Sequence, residues 1–369
     1  MSEFVVRVVP ITRIDPHLDA DRIELAVIGE FRSVVVKGRF KTGDLVAYIP
    51  EASLVPGALL NEMNLVGKLA GSQKNRVKAM RFRGQLSQGI CYPTRPGWVA
   101  GQDVTDELGI TKYVPPIPVH LSGQVSNVGG RNTIRYDIEN WKRYPTVLQT
   151  GEQVVFTEKI HGTFTGIGVL PECMDEHGDV VVFSKGIGAA GLAFKDVPEN
   201  IHNLYIRVSR HFRLPERIRA DVVFGPILRS RQPVFVLGEI FGVQDLKYGA
   251  STKQDQTMGF RVFDIFTGYQ SDMTGRFLDD AELETACVRL GVPRVPIIWR
   301  GPFSRETMLL FTNGQETVSG KTLHVREGIV MRPVIERKDS TLPLGGRVQL
   351  KSISEDYLLR KGLETTEFE

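Results

Sequence analysis

The spacing of apolar and polar positions divides the chain into two stretches of different character. Between Phe4 and Ile49 the apolar residues come in short runs, Phe4–Val9, Ile23–Val27, Phe31–Val36 and Leu45–Ile49, with Lys41-Thr42-Gly43-Asp44 as the turn into the last. Runs of this length, rich in β-branched residues and bounded by turn formers, read as strands. A basic, less regular segment follows from Asn61 to Gly84, and Gly89-Ile90-Cys91-Tyr92-Pro93 reads as a returning strand. Several short strands in about a hundred residues, with little helical periodicity, predict a small OB-like β-barrel, a fold often used to hold nucleic acid.

The segment Tyr113-Val114-Pro115-Pro116-Ile117-Pro118 is proline-rich and Ser122 to Gly130 is small and polar, so a boundary is expected there. Beyond it the pattern mixes periods. A short helical stretch is expected near Tyr136–Tyr144, then the strand Gln153–Phe156 running to Lys159, and strands at Thr163–Leu170 and Val180–Ser184. Helices are expected over Pro198–Phe212 and Asp279–Leu290, with strands at Pro233–Gly238, Phe260–Phe266, Gly328–Pro333 and Arg347–Lys351. The predicted class is α+β: residues 1–115 an OB-like module suited to nucleic acid, 116–130 a linker, and 131–369 an antiparallel α+β domain.

At 369 residues the chain is long enough for about two domains, each with its own core. No apolar run is long enough to cross a bilayer, and the start, Met1-Ser2-Glu3-Phe4, lacks the pattern of a signal peptide, so a cytoplasmic protein is expected. The three cysteines, Cys91, Cys173 and Cys287, are far apart and match no paired ligand spacing, which argues against a disulfide framework or zinc. The net charge of +3 says little by itself, but its distribution matters. No acidic residue occurs between Glu62 and Asp103, a stretch carrying Lys68, Lys74, Arg76, Lys78, Arg81, Arg83 and Arg95, with Phe82, Tyr92 and Trp98 nearby. Lys74, Arg76, Lys78, Arg81 and Arg83 are the candidates for phosphate contact, weighed evenly against a merely solvated basic face.

The sharpest chemical signal is Thr157-Glu158-Lys159-Ile160-His161-Gly162. A lysine ending a buried strand is costly to desolvate and tends towards the neutral amine, which can attack phosphorus. Gly162 is expected to let a substrate approach closely. Taken alone, such a lysine is more often a solvated strand end before a turn. Further polar residues sit on apolar strands: Glu239 within Phe235–Gly242, Asp264 within Arg261–Phe266, Glu327 ahead of Gly328, and Lys351 after Gln349-Leu350. A buried carboxylate needs a partner, and each of these singly is more often a salt-bridged strand end.

Together, Lys159-Ile160-His161-Gly162, Ser184-Lys185-Gly186, Leu237-Gly238-Glu239-Ile240-Phe241-Gly242, Val262-Phe263-Asp264-Ile265, Glu327-Gly328-Ile329-Val330 and Leu350-Lys351 resemble the ordered motifs of the covalent nucleotidyltransferase superfamily of ATP-dependent ligases and RNA capping enzymes. The wording Thr157–Thr163 is closest to the RNA ligase 2 branch. An OB-like module ahead of the catalytic domain is similar to Deinococcus-type RNA ligases. The resemblance implies a ligase/capping-type adenylyltransferase domain, unrelated to ATP-grasp, and an ATP-dependent RNA ligase using Mg2+ or Mn2+. Its implied substrate is RNA, or an RNA-containing duplex, with 3′-OH and 5′-phosphate ends, sealed through lysyl-AMP and an adenylated strand by a protein expected to be a monomer.

By the same resemblance Lys159 is the nucleophile, Lys351 contacts the α-phosphate, and His161 assists later steps. Glu158, Ile160, Gly162, Lys185, Glu239, Phe263 and Lys351 form the nucleotide site, with Glu158 receiving the adenine amino group, Glu239 the ribose hydroxyls and Phe263 stacking on the base. Glu327 is the implied metal contact, with Asp264 a lesser contributor. One departure stands out: the branch usually has lysine where Gln349 stands, with Lys247, Lys253 and Arg332 as substitutes. Two other readings compete, a GTP-dependent mRNA guanylyltransferase and a non-catalytic nucleic-acid-binding relic.

Overall fold

A computed structural model describes residues 4–114, 122–171, 178–242, 246, 248–249, 259–343 and 345–360. Cys173, Lys247 and Lys253 lie outside the described residues, as does the centre of the expected linker. Among the described residues no helix is long and apolar enough to cross a membrane.

The first module is built on two antiparallel three-stranded sheets. One has Leu45–Ile49 between Arg7–Pro10 and Ile90–Pro93; the other has Ile23–Ile28 between Arg13–Pro16 and Phe31–Val36. Alternate side chains of these short strands bury Val8, Ala47, Ile49 and Tyr92 in one cluster and Ala26, Ile28, Val35, Val46 and Cys91 in another. The period-2 pattern therefore specifies both cores. The basic segment is more ordered than its composition suggests. It follows from the helix Gly57–Glu62 and runs into the hairpin of Met80–Phe82 with Gln85–Ser87. The hairpin turns through Arg83-Gly84, both at positive φ, as a two-residue turn matching the strand twist requires.

The larger domain holds two five-stranded sheets. In the first the order is Val180–Ser184, Gly162–Val169, Val234–Phe241, Gly259–Thr267 and Arg276–Phe277. In the second it is Glu139–Asn140, Leu350–Ile353, Gly328–Pro333, Gln153–Lys159 and Ile297–Pro302, antiparallel except for the short Glu139–Asn140 pairing. Gln153–Lys159 belongs to one sheet and Gly162–Val169 to the other, so the chain changes sheet at Ile160-His161. Helices Leu204–His211, Leu214–Ala220 and Asp280–Leu290 pack their apolar residues on the first sheet.

Several local expectations are corrected. Tyr136–Tyr144 is not a helix but the strand Glu139–Asn140 followed by one tight turn, Trp141–Arg143. The stretch Pro198–Phe212 is broken at Asn203, whose side chain accepts from the N–H groups of Tyr205 and Ile206 and starts a new helix. Part of the expected linker is structured: Val125–Asn127 pairs with Leu192–Phe194 of the larger domain.

The two modules touch through polar contacts. Arg32 donates to Glu355 at 2.6 Å, Lys142 to Gln88 at 2.7 Å, and Arg305 to Glu30 at 2.7 Å. The Lys142 ammonium also lies 5.6 Å from the Phe31 ring centre.

Candidate active site

The corner where the chain changes sheet opens into a cavity. Lys159, Glu158, Ile160 and His161 line it, with Glu239 and Phe263 from the first sheet and Glu327, Arg332, Gln349 and Lys351 from on or beside strands of the second. These residues, spread over almost two hundred positions, meet because strands of both sheets converge on the corner. Gly162 is required by that convergence. A Cβ there would sit 2.2 Å from the Ile240 carbonyl oxygen, so the glycine admits the neighbouring Glu239 strand rather than serving chiefly as an opening for substrate.

Lys159 Nζ is ion-paired with Glu327 Oε1. Glu327 is almost wholly enclosed. Burial acts to raise its carboxyl, but the charge of Lys159 and the neighbouring His161 outweigh it and hold the group at about 2. Its Oε2 has no hydrogen-bond partner among the described residues and lies 3.6 Å from His161 Nδ1. Glu239 shows the opposite balance: burial pushes it up to about 8, with Lys159 opposing and Glu327 reinforcing the shift. Two neighbouring carboxylates thus differ in ionisation because the lysine sits against one of them.

His161 is fixed from two sides. Its backbone N–H donates to the Tyr248 hydroxyl at 2.7 Å, and its Nδ1 lies 2.8 Å from the hydroxyl of the fully buried Tyr357. Lys185 donates to Asp137 at 2.8 Å on the opposite wall. Phe263 joins an aromatic wall with Tyr136 and Phe164, at ring separations of 5.1 and 5.9 Å. The apolar Ile160 also lines the cavity. Glu158 is buried; its Oε2 accepts from Thr317, and burial raises its carboxyl above the ordinary range.

Two expected site residues are placed elsewhere. Asp264 does not line the cavity. It is fully buried behind it, taking both guanidinium nitrogens of Arg347 at 2.9 Å and bonding Tyr136, so its oxygens are committed to a structural ion-pair network. Arg76 is 5% exposed, with its guanidinium 4.2 Å from the Tyr113 ring centre, which removes it from a nucleic-acid surface. Lys74, Arg81 and Arg83 are exposed and Lys78 partly so. The hairpin bearing Arg81 and Arg83 also exposes Met80 and Phe82.

Gln349 is buried, donating to the Tyr136 hydroxyl at 2.8 Å and accepting from Arg347 at 3.0 Å. A lysine there would meet Arg347 directly and confront Arg332, which lies one ladder step beyond the Met331–Leu350 pair. Of the substitutes, Arg332 lines the cavity, though it is also tied to Glu336 at 2.8 Å.

Among the described residues no cluster of three or more His, Cys, Asp or Glu side chains forms a metal cage. Of the carboxylates lining the cavity, Glu327, which stays ionised, suits a hard divalent ion that keeps mostly water and phosphate ligands. Sequence reasoning missed Tyr136, Asp137, Tyr248, Thr317 and Tyr357. Each acts through a contact tens to hundreds of residues distant along the chain and carries no local motif.

An RNA ligase family model matches residues 152–351, and an OB-fold domain model, PHA02142, matches residues 5–94. Solved structures of an RNA ligase from Naegleria gruberi share the fold. An apo aspartate-to-alanine variant superimposes with a TM-score of 0.74 at 22% identity, covering 97% of this chain and 98% of that one. A lysine-to-methionine variant with AMP and Mn gives 0.73 at 22% identity over 96% and 98%, and the enzyme with pyrophosphate 0.71 at 23% over 96% and 97%. No curated protein matches the sequence.

Proposed function

The chain belongs to the RNA ligase family, and on that premise we propose that it is an ATP-dependent ligase joining 3′-OH and 5′-phosphate ends at nicks in RNA-containing duplexes. The observation carrying this reading is the Lys159–Glu327 pair in a cavity lined also by Glu239, Phe263, Lys185 and Lys351. ATP and Mg2+ or Mn2+ are the proposed cofactors; a solved structure of a lysine-to-alanine variant of the Naegleria enzyme holds ATP and Mn.

In the first step Lys159, once its ammonium has given up a proton, attacks the α-phosphorus. The N–P bond forms as the α–β anhydride breaks, and pyrophosphate leaves with the electron pair. Phe263 stacks on the base, Glu158 accepts the adenine amino group, and Glu239 accepts from the ribose hydroxyls. Lys351 and Lys185 neutralise charge on the phosphates, where preorganised cations lower the barrier most. Glu327 would hold the divalent ion, which would supply charge neutralisation and polarise phosphoryl oxygens when bound.

In the second step a strand 5′-phosphate oxygen takes the AMP and frees Lys159. In the third, the neighbouring 3′-OH attacks that 5′-phosphorus, forms the phosphodiester and expels AMP. Little is required of the protein beyond alignment, and the complementary strand supplies much of it. We propose a division of labour in which residues 1–115 hold the duplex beside the nick and the domain from residue 131 performs the chemistry. A monomer is the proposed working unit.

The test is incubation with a divalent ion and radiolabelled ATP or GTP, followed by denaturing electrophoresis, for wild type and Lys159→Ala. Label from ATP that disappears in the variant, with sealing of a nicked RNA duplex, is the expected result. Label from GTP would make the protein a capping enzyme, and no label would make it a binding protein.

A further inference from the structure

Glu158 is 2% exposed and its two oxygens are not equivalent. Oε2 accepts from the Thr317 backbone N–H at 2.8 Å and from the Thr317 hydroxyl at 2.6 Å, so both of its lone-pair directions are used. Oε1 has no hydrogen-bond partner among the described residues, and Glu158 lines the cavity. An enclosed carboxylate oxygen without a partner, on a residue that lines a cavity, is an unsatisfied acceptor.

Thr317 itself is well supported. It lies between helix Arg305–Thr312 and strand Gly328–Pro333, and its neighbour Glu316 is fully buried. The Glu316 carboxylate accepts from the N–H of Ser319 at 2.9 Å and of Leu323 at 3.0 Å, closing the loop on itself. The clamp on Glu158 Oε2 is therefore part of a braced turn rather than one contact from a loose loop.

We propose that Thr317 determines nucleobase choice, by occupying Oε2 of Glu158 so that the carboxylate offers the cavity a single acceptor. The inference rests on the reading of Glu158 as the group that meets the base. A carboxylate with both oxygens open can accept side by side from the N1–H and 2-amino group of guanine. With one oxygen saturated that bidentate match is lost. A lone acceptor suits the single 6-amino donor of adenine, and guanine in the same register would set its O6 against Oε1, lone pair to lone pair.

The experiment measures the KM and rate of lysyl-nucleotide formation with ATP and GTP for wild type, Thr317→Val, Thr317→Ser and Glu158→Ala. Valine keeps the branched shape and removes only the hydroxyl; serine restores it. For Thr317→Val the expected result is an ATP KM raised about ten-fold, a smaller change in kcat, and a GTP-to-ATP preference raised about ten-fold, the worth of one hydrogen bond to a charged group. Thr317→Ser returns both to near wild type. An unchanged KM and preference in Thr317→Val, or no rescue by serine, overturns the proposal. Unchanged base preference in Glu158→Ala removes Glu158 from the base site and overturns it by that route. Absence of any label in wild type overturns the ligase reading itself.

Discussion

The hydroxyl of Tyr357 lies 2.8 Å from Nδ1 of His161, tying a helix near the end of the described chain to the residue two positions after Lys159. The same helix, Glu355–Leu358, begins with Glu355, which accepts from Arg32 of the first module at 2.6 Å. One short element thus contacts both the nucleophile corner and the OB-like module.

Tyr357→Phe removes the hydroxyl and keeps the fully buried ring. The expected outcome is a loss of about 1 kcal/mol of stability, that of an ordinary buried hydrogen bond. Phosphodiester formation from a pre-adenylated nicked strand is expected to slow several-fold, with the KM for ATP within about two-fold of wild type. Single-turnover kinetics check this, and a wild-type rate would leave Tyr357 with a packing role alone.

Glu327→Gln tests the ion pair. Glutamine keeps the shape but removes the carboxylate charge that Lys159 pairs with, and with it an acceptor suited to a divalent ion. Lysyl-AMP formation is expected to fall by on the order of a hundred-fold or more, comparable to removing one preorganised electrostatic group. Titrating Mg2+ or Mn2+ distinguishes the causes: loss of metal affinity shifts the half-saturating concentration upward, whereas loss of the counter-charge alone does not.

Much of this corner was legible in the sequence, because each motif is a contiguous run on a strand and the strands are regular. Short β-branched runs bounded by turn formers located Phe31–Val36, Leu45–Ile49, Val180–Ser184 and Gly328–Pro333 to the residue, and Lys159, Glu239, Phe263, Glu327 and Lys351 all line one cavity. What composition could not reveal was which polar residues are already satisfied by distant partners. Asp264 reads like a cavity acid until Arg347, 83 positions away, is seen to hold both its oxygens. Arg76 reads like its exposed neighbours until Tyr113 covers it. Thr317, Tyr136 and Tyr357 carry no motif, since their meaning comes from a single atom of a remote residue.

Glu239 gives a pH dependence with a definite sign. Its folded-state value of about 8 lies above the ordinary carboxylate range, so the folded protein retains a proton that the unfolded chain releases. The contribution of Glu239 to stability is therefore highest below the unfolded value of about 4.5, declines as pH rises, and levels off above about 8. Glu239→Gln, neutral at every pH, is expected to be more stable than wild type at pH 8 by on the order of 1–3 kcal/mol, with the difference shrinking towards pH 5. Denaturant melts of the nucleotide-free protein at both pH values check it, and a constant difference would place the cost in packing rather than ionisation.

The basic segment of the first module supplies the remaining prediction, and the contrast between exposed and buried arginines sharpens it. Arg81→Ala with Lys74→Ala removes two exposed charges. If they meet phosphates, binding of a nicked duplex weakens and its dependence on log salt becomes shallower by about two units, since each phosphate contact contributes close to one. Sealing falls accordingly, while lysyl-AMP formation, which needs no nucleic acid, stays near wild type. Arg76→Ala should behave differently, because its guanidinium is packed on Tyr113 and only 5% exposed. The expected result there is a lower melting temperature with an unchanged salt slope. Equal loss of adenylylation and sealing in the Arg81/Lys74 variant would mean that the segment supports the catalytic domain instead of holding the duplex.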